Sequence, residues 1–220
     1  MASLKEYRNN ELKWFLLANI LLMLITTNVF QFDVLEDNFG TYISEGLNIA
    51  AISSSAYILT FIFDSIIPSK LKVNLVFLWS KQPSSTIFTD MLKKFEDNRF
   101  TLDSAKKKYK DIYTQIENKP KNFDQTPLWY SIYNQHRDNP IVFGSNKDYL
   151  LLRDMHAQTI MLLVVYMILW LVTGFFDFSA EFLIYLIVLI IILNISTRVQ
   201  GKRMVYHVLS VDVNQYKPVD

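Results

Sequence analysis

The chain has 220 residues, 51% of them hydrophobic and 20% charged, and its 22 basic and 21 acidic side chains leave a formal net charge of +1. That length suits one soluble domain or a few membrane spans. The absence of cysteine excludes disulfides while fitting any compartment, and no glycine-rich phosphate loop, HExxH or paired acidic motif is present.

Four apolar runs, at about 13–30, 43–67, 156–176 and 179–197, are each long enough to cross a hydrocarbon core about 30 Å thick. The last contains EFLIYLIVLIIILNI, with no charge after Glu181, and a buried soluble helix is rarely apolar all round over that length. The first run has the basic flank of a signal peptide (Lys5, Arg8, Lys13), but its exit TTNVFQFDVLEDN lacks a small-residue cleavage site, so it is read as retained. No Lys or Arg falls between Gln31 and Tyr42 or between Phe175 and Ser179, whereas fifteen lie between residues 67 and 156. Arg198, Lys202, Arg203 and Lys217 follow the last run. The positive-inside rule then places both termini and the central segment in the cytoplasm. The expected fold is an all-α membrane protein with four transmembrane helices as two hairpins and a small, mainly helical cytosolic insert. Its expected divisions are 1–67 (tail and first hairpin), 68–148 (insert), 149–197 (second hairpin) and 198–220 (tail).

Within the insert, Leu71 to Trp79 is apolar but short, and reads as an interfacial segment, a strand or an extension of the second helix. Gln82 to Ser85 (QPSS) reads as a turn. Thr101 to Glu117 places Leu102, Ala105, Tyr109, Ile112, Tyr113 and Ile116 at the spacing of one helix. Asn118 to Gln125 is a loop. Thr126 with Pro127 opens the next helix and Asn139-Pro140 closes it. Ser145-Asn-Lys-Asp148 resembles a capping box, from which a helix runs unbroken into the third span. The fourth helix continues past Arg198 towards His207. Helices passing out of the bilayer in this way would couple a cytosolic domain to the membrane part.

Polar residues inside the spans include Asn19, Thr26, Thr27, Thr60, Asp64 and a stripe of Thr159, Tyr166 and Thr173. Polar groups in hydrocarbon turn towards other helices or a wet cavity. For any one residue, interhelical hydrogen bonding is the plainer reading. In the second span, Glu45, Asn48, Ile52, Ser55 and Leu59 share a face, which suits a pore lining with a hydrophobic constriction. Four helices hardly enclose an aqueous path, so such a pore requires a homo-oligomer. The lack of charge at mid-span argues against a coupled transporter. His136, His156 and His207 stand far apart in sequence, which does not favour an enzyme or a metal cofactor.

The central segment from 67 to 156 carries fifteen bases against ten acids, with Lys106, Lys107, Lys108 and Lys110 the densest cluster. A basic helix beside a bilayer can simply lie on anionic lipid. Trp129, Tyr133 and Arg137 fall on one helical face with Tyr130 and His136 at its margins. Rings interleaved with bases suit a nucleotide or single-stranded nucleic acid, though a small domain uses the same rings as core.

SKQPSSTIF at 80–88, LWYSIYNQHRDNP at 128–140 and YLLLRD at 149–154 resemble phrases of four-span bacterial membrane effectors in nucleotide-signalling antiphage systems, of the CBASS type and of Hailong. In Hailong the membrane protein is a tetrameric ion channel, held closed by short DNA oligomers that a partner nucleotidyltransferase makes. In CBASS a cyclic nucleotide activates the effector instead. The resemblance implies an oligomeric, ligand-gated channel of the bacterial inner membrane that depolarises the cell. Its implied ligand-binding residues are Arg99, Lys106, Lys107, Lys108, Lys110, Tyr133, His136 and Arg137, with Trp129 packed in the domain. A non-conducting membrane sensor that recruits a cytosolic partner is the alternative.

Overall fold

The structure is a computed structural model, which describes residues 4–27, 54–55, 57–95, 97–119, 123–173 and 177–215. In chain order its helices are α1 (Leu4–Thr26), α2 (Tyr57–Ile66), α3 (Ser69–Val76), α4 (Ile87–Lys93), α5 (Leu102–Lys108), α6 (Lys110–Glu117), α7 (Thr126–His136), α8 (Pro140–Ile168) and α9 (Ala180–Gln215). A 3₁₀ turn at Pro83–Ser85 precedes α4, and a π-helical stretch at Leu169–Thr173 ends α8. Among the described residues there is no strand. Two compact units emerge: residues 1–76 with 150–196, and residues 77–149 with 197–220. The segment 197–220 thus groups with most of the insert, and α3 with the first unit.

Two helices are long and apolar enough to cross a membrane, Pro140–Val172 and Ala180–Gln215. Only 33% and 22% of their most apolar windows are buried, where the core helix of a soluble domain would be mostly buried. The outward residues of α9 are Ile184, Ile187, Val188, Ile191, Ile192 and Ile195, all exposed. The first expected span coincides with most of α1. Much of the second lies outside the described residues, and α2 is its remaining apolar part.

The first unit packs on Leu16 and Met23 of α1, Phe63 of α2, Leu162 and Tyr166 of α8, and Phe182 and Leu186 of α9. Tyr166 is fully buried and meets Phe182 edge-on, with ring centroids 5.1 Å apart. Its hydroxyl accepts from the Ser179 N–H at 2.9 Å and donates to the Ser179 carbonyl at 3.2 Å. Ser179 Oγ in turn accepts from Phe182 N at 3.1 Å, satisfying an orphan donor of α9. Interhelical bonds expected of the polar span residues are present, as where Tyr185 Oη donates to Asn19 Oδ1 at 3.0 Å. Thr26, Thr27 and Thr159 instead bond carbonyls of their own helices. Below this apolar layer four charges meet. Lys72 of α3 bonds Asp64 and lies 3.7 Å from Asp154, which also takes Arg153 at 2.8 Å. Burial of Lys72, Arg153 and Asp154 is tolerable because the opposite charges are adjacent.

The second unit is built on Phe88, Met91, Ala105, Tyr109, Trp129, Val142, Val208 and Leu209, all buried. Phe88 meets the Tyr109 and Tyr113 rings edge-on at 5.4 and 6.2 Å. No side chain of its own N-cap satisfies the first N–H groups of α4. Gln125, 3% exposed, does so from a distant segment: its Oε1 accepts from Phe88 N at 3.0 Å, and its backbone N–H donates to Ser85 O at 3.1 Å. Gly201 is where α9 needs a missing side chain. A Cβ there would stand 3.1 Å from Cε2 of Tyr149.

Four local expectations change. The segment 71–79 is mostly helix, α3, divided from α2 at Pro68. The single helix expected over 101–117 is two, because Tyr109 at ψ 24° departs from helical geometry as its ring enters the core. Helix α8 begins at Pro140 rather than Ser145: Asn139 Oδ1 accepts from Ile141 N at 3.0 Å, proline occupies the first turn, and Ser145 is buried. At the start of α7, Asp124 accepts the Thr126 N–H at 3.0 Å while the Thr126 hydroxyl lies 3.2 Å from Ser84 Oγ.

Replacing the capping amide tests this account of the second unit. Gln125→Ala strands two N–H groups of α4 and should lower stability by roughly 1–3 kcal/mol, read as a shifted denaturation midpoint in detergent.

Candidate functional site: a buried carboxylate and two basic clefts

Asp212 lies near the end of α9, 6% exposed, and draws donors from the α5–α6 junction and from the end of α7. Lys108 Nζ is 2.8 Å and His136 Nε2 2.7 Å from its Oδ1, and Tyr109 Oη donates to its Oδ2 at 2.7 Å. Lys108 also donates to the Asp212 carbonyl at 2.5 Å. Burial alone would raise the Asp212 carboxyl, but the bonds from Lys108, Tyr109 and His136 prevail and hold it below its ordinary value. Burial, followed by the adjacent carboxylate, pushes the Tyr109 phenol far up. Burial pushes Tyr113 up to about 12, with Tyr206 adding to it.

Two clefts open on another part of this unit. One, of about 390 Å³, is lined by Lys81, Lys93, Lys94 and Lys202 with Asp90 and Tyr206. The other, of about 470 Å³, is lined by Arg99, Lys202 and Arg203 with Asp97, Val199 and Tyr206. Lys202 and Tyr206, four residues apart on α9, border both. The Arg99 guanidinium donates from Nε to Asp97 Oδ1 at 3.0 Å, and these bonds hold the Asp97 carboxyl below its ordinary value against the opposing effect of burial. Burial lowers His207, and the positive charges of Arg99 and Arg203 lower it further while Asp97 opposes them.

The structure distributes the residues predicted from sequence. Arg99 lines the second cleft. Lys108 and His136 turn inward and meet at Asp212. Lys106, Lys107 and Lys110 are exposed on α5 and α6. Trp129 is buried and its Nε1 donates to Val205 O at 3.4 Å. Tyr133 stacks on Trp129 with centroids 5.4 Å apart, and its hydroxyl accepts from Asn146 Nδ2 at 3.0 Å. Arg137 is exposed, 3.6 Å from Asp138. Of the predicted pore face, Glu45, Asn48 and Ile52 lie outside the described residues, Ser55 is exposed, and Leu59 packs against the first unit's core.

Sequence reasoning did not single out Asp212, Lys81, Lys93, Lys94, Lys202 or Arg203. A signal for Asp212 existed: an acid inside the mostly apolar VLSVDV implies a buried partner set. Among the described residues no group of three His, Asp or Glu is placed to hold a metal ion. Comparison with known protein families, curated proteins and solved structures found no match.

Two substitutions probe this electrostatics. The depressed Asp212 carboxyl contributes stability that is complete above its unfolded value near 4 and is lost as pH falls through its folded value. Asp212→Asn should therefore cost about 1.5–3 kcal/mol near neutrality, and the gap to the parent should close in acid denaturation series. Arg99→Ala should raise the His207 titration midpoint, read by NMR, because a positive neighbour is removed.

Proposed function

We propose that this chain is an oligomeric, ligand-gated ion channel of a bacterial inner membrane, with both termini and the central insert cytoplasmic. It would act as an antiphage effector that depolarises the membrane under control of a nucleotide or short DNA oligomer. A nucleotidyltransferase would supply that ligand. The observation that carries the proposal is the continuity of α9. One helix of 36 residues, about 54 Å at 1.5 Å per residue, includes an apolar stretch and then Lys202 and Arg203 of the basic clefts. Binding at those bases would act on the same rigid element that enters the bilayer.

A ligand shifts the open–closed balance only through its differential affinity for the two forms. The exposed position of Ser55 suits a lining residue, and the outward isoleucines of α9 suit lipid. Leu78 and Trp79, 59% and 85% exposed, have the character of a membrane-interface pair. The sensor reading is favoured by the exposed Ile141, Phe143 and Tyr130, which a recruited partner would cover.

Purified protein in liposomes should conduct ions, and short DNA oligomers should change the flux by about tenfold, a coupling of 1–3 kcal/mol being usual. Ser55→Leu should reduce conductance while leaving oligomerisation unchanged. Absence of flux from folded, oligomeric protein in both conditions would transfer the assignment to the sensor.

A further inference from the structure

The two clefts contain six bases, Lys81, Lys93, Lys94, Arg99, Lys202 and Arg203, against two acids, Asp90 and Asp97. Among the described lining residues, bases thus outnumber acids by four, in a chain whose formal net charge is +1. Both acids are already engaged. Thr86 Oγ1 donates to Asp90 at 2.6 Å, and Asp97 holds the Nε edge of Arg99. That hold does more than neutralise: it orients a planar fork and leaves its Nη1 side to a ligand.

The clefts differ in chemistry. The cations of the first are all lysines, each a compact point charge. The second presents two guanidiniums, which grip a phosphoryl group in two places. Lys202 borders both, and the largely buried Tyr206 forms a common floor. A single small anion would use half of this arrangement. An anion with two separated charges would use all of it. Both volumes fall in the usual range for small-ligand sites.

We propose that the clefts on either side of Lys202 form one composite site for a soluble ligand carrying at least two phosphoryl groups, one seated among Lys81, Lys93 and Lys94 and the other between Arg99 and Arg203. The choice of a soluble ligand over a lipid headgroup rests on the ligand-gated reading above. Neither the Lys106–Lys110 run nor the α7 aromatics, to which composition drew attention, are among the residues lining it. His207 reports on it, because an anion beside Arg99 and Arg203 offsets the charges that disfavour its protonation.

The test is calorimetry on the full chain in neutral detergent, titrated with inorganic pyrophosphate, inorganic phosphate and a 5′-phosphorylated DNA dinucleotide. The two diphosphorylated probes should bind, more weakly as salt rises, and phosphate should bind at least about tenfold more weakly than pyrophosphate. Lys202→Glu should abolish binding. Lys93→Gln, at an exposed position, should weaken it about tenfold, and Lys106→Glu should leave it unchanged. Pyrophosphate should also raise the His207 titration midpoint. Unaltered binding in Lys202→Glu and Lys93→Gln would overturn the site. Binding confined to phosphatidylglycerol vesicles, without competition from pyrophosphate, would overturn the soluble ligand. Because calorimetry is independent of conduction, binding without flux would retain the site and remove the channel, and flux without binding would do the reverse.

Discussion

A carboxylate taken out of water must be given donors, and Asp212 collects them from Lys108, Tyr109 and His136 at once. That requirement organises the second unit. It explains why the helix over 101–117 breaks at Tyr109, since an unbroken helix would not present both Lys108 Nζ and Tyr109 Oη to one acid. It also occupies the last-turn histidine of α7, the helix whose Trp129 donates to Val205 farther back on α9. Exposed lysines beside it contribute little to stability, because charges in water are already well solvated. The same residue type therefore has two roles in one run: Lys108 fixes the fold and Lys106, Lys107 and Lys110 face solvent.

The first unit solves the complementary problem, polar groups among apolar ones. Tyr166 places a hydroxyl in the core because the backbone of Ser179 supplies both a donor and an acceptor. Asn194 of α9 satisfies the last carbonyl of α3, at Val76, from 3.1 Å. Where charges are buried, they form a group of four with no net charge, Asp64, Lys72, Arg153 and Asp154. Such groups add little to stability in comparison with an apolar core of the same volume, but leaving one member without its partner is costly. Their common consequence is discrimination among arrangements: helices that slid by one turn would leave a charge unmatched.

Legibility in the sequence followed the range of the interaction. Apolar runs and helix periods are local, so α1, α7 and the long course of α9 could be read directly, and α9 continues beyond His207 to Gln215. Boundaries misled where a cap was ambiguous: Asn139-Pro140 closes one helix and opens the next, and the box at Ser145 lies inside α8. Of the three phrases that carried the resemblance, SKQPSSTIF meets the residues that lead into the aromatic stretch after Thr126. Ser84, Ser85 and Phe88 are joined to Gln125 and Thr126 by hydrogen bonds. Nothing in either phrase alone indicates that pairing. The basic clefts were illegible for the same reason, because their lysines and arginines come from segments about 100 residues apart, each unremarkable by itself.

The timing of synthesis follows from Gln125 and Lys202. The start of α4 lacks partners for its amides until a residue 37 positions later has been made. The clefts lack Lys202 and Arg203 until α9 has emerged, and Asp212 comes later still. Until α9 has been made, the cationic groups of the clefts are thus dispersed along an unassembled segment. Closing loops of that length carries an entropic cost that grows slowly with length, so the delay is kinetic rather than a lasting loss of stability. An anion that requires the assembled clefts would therefore ignore every incomplete chain on the ribosome, and would distinguish folded copies from unfinished ones without any separate means of inspection.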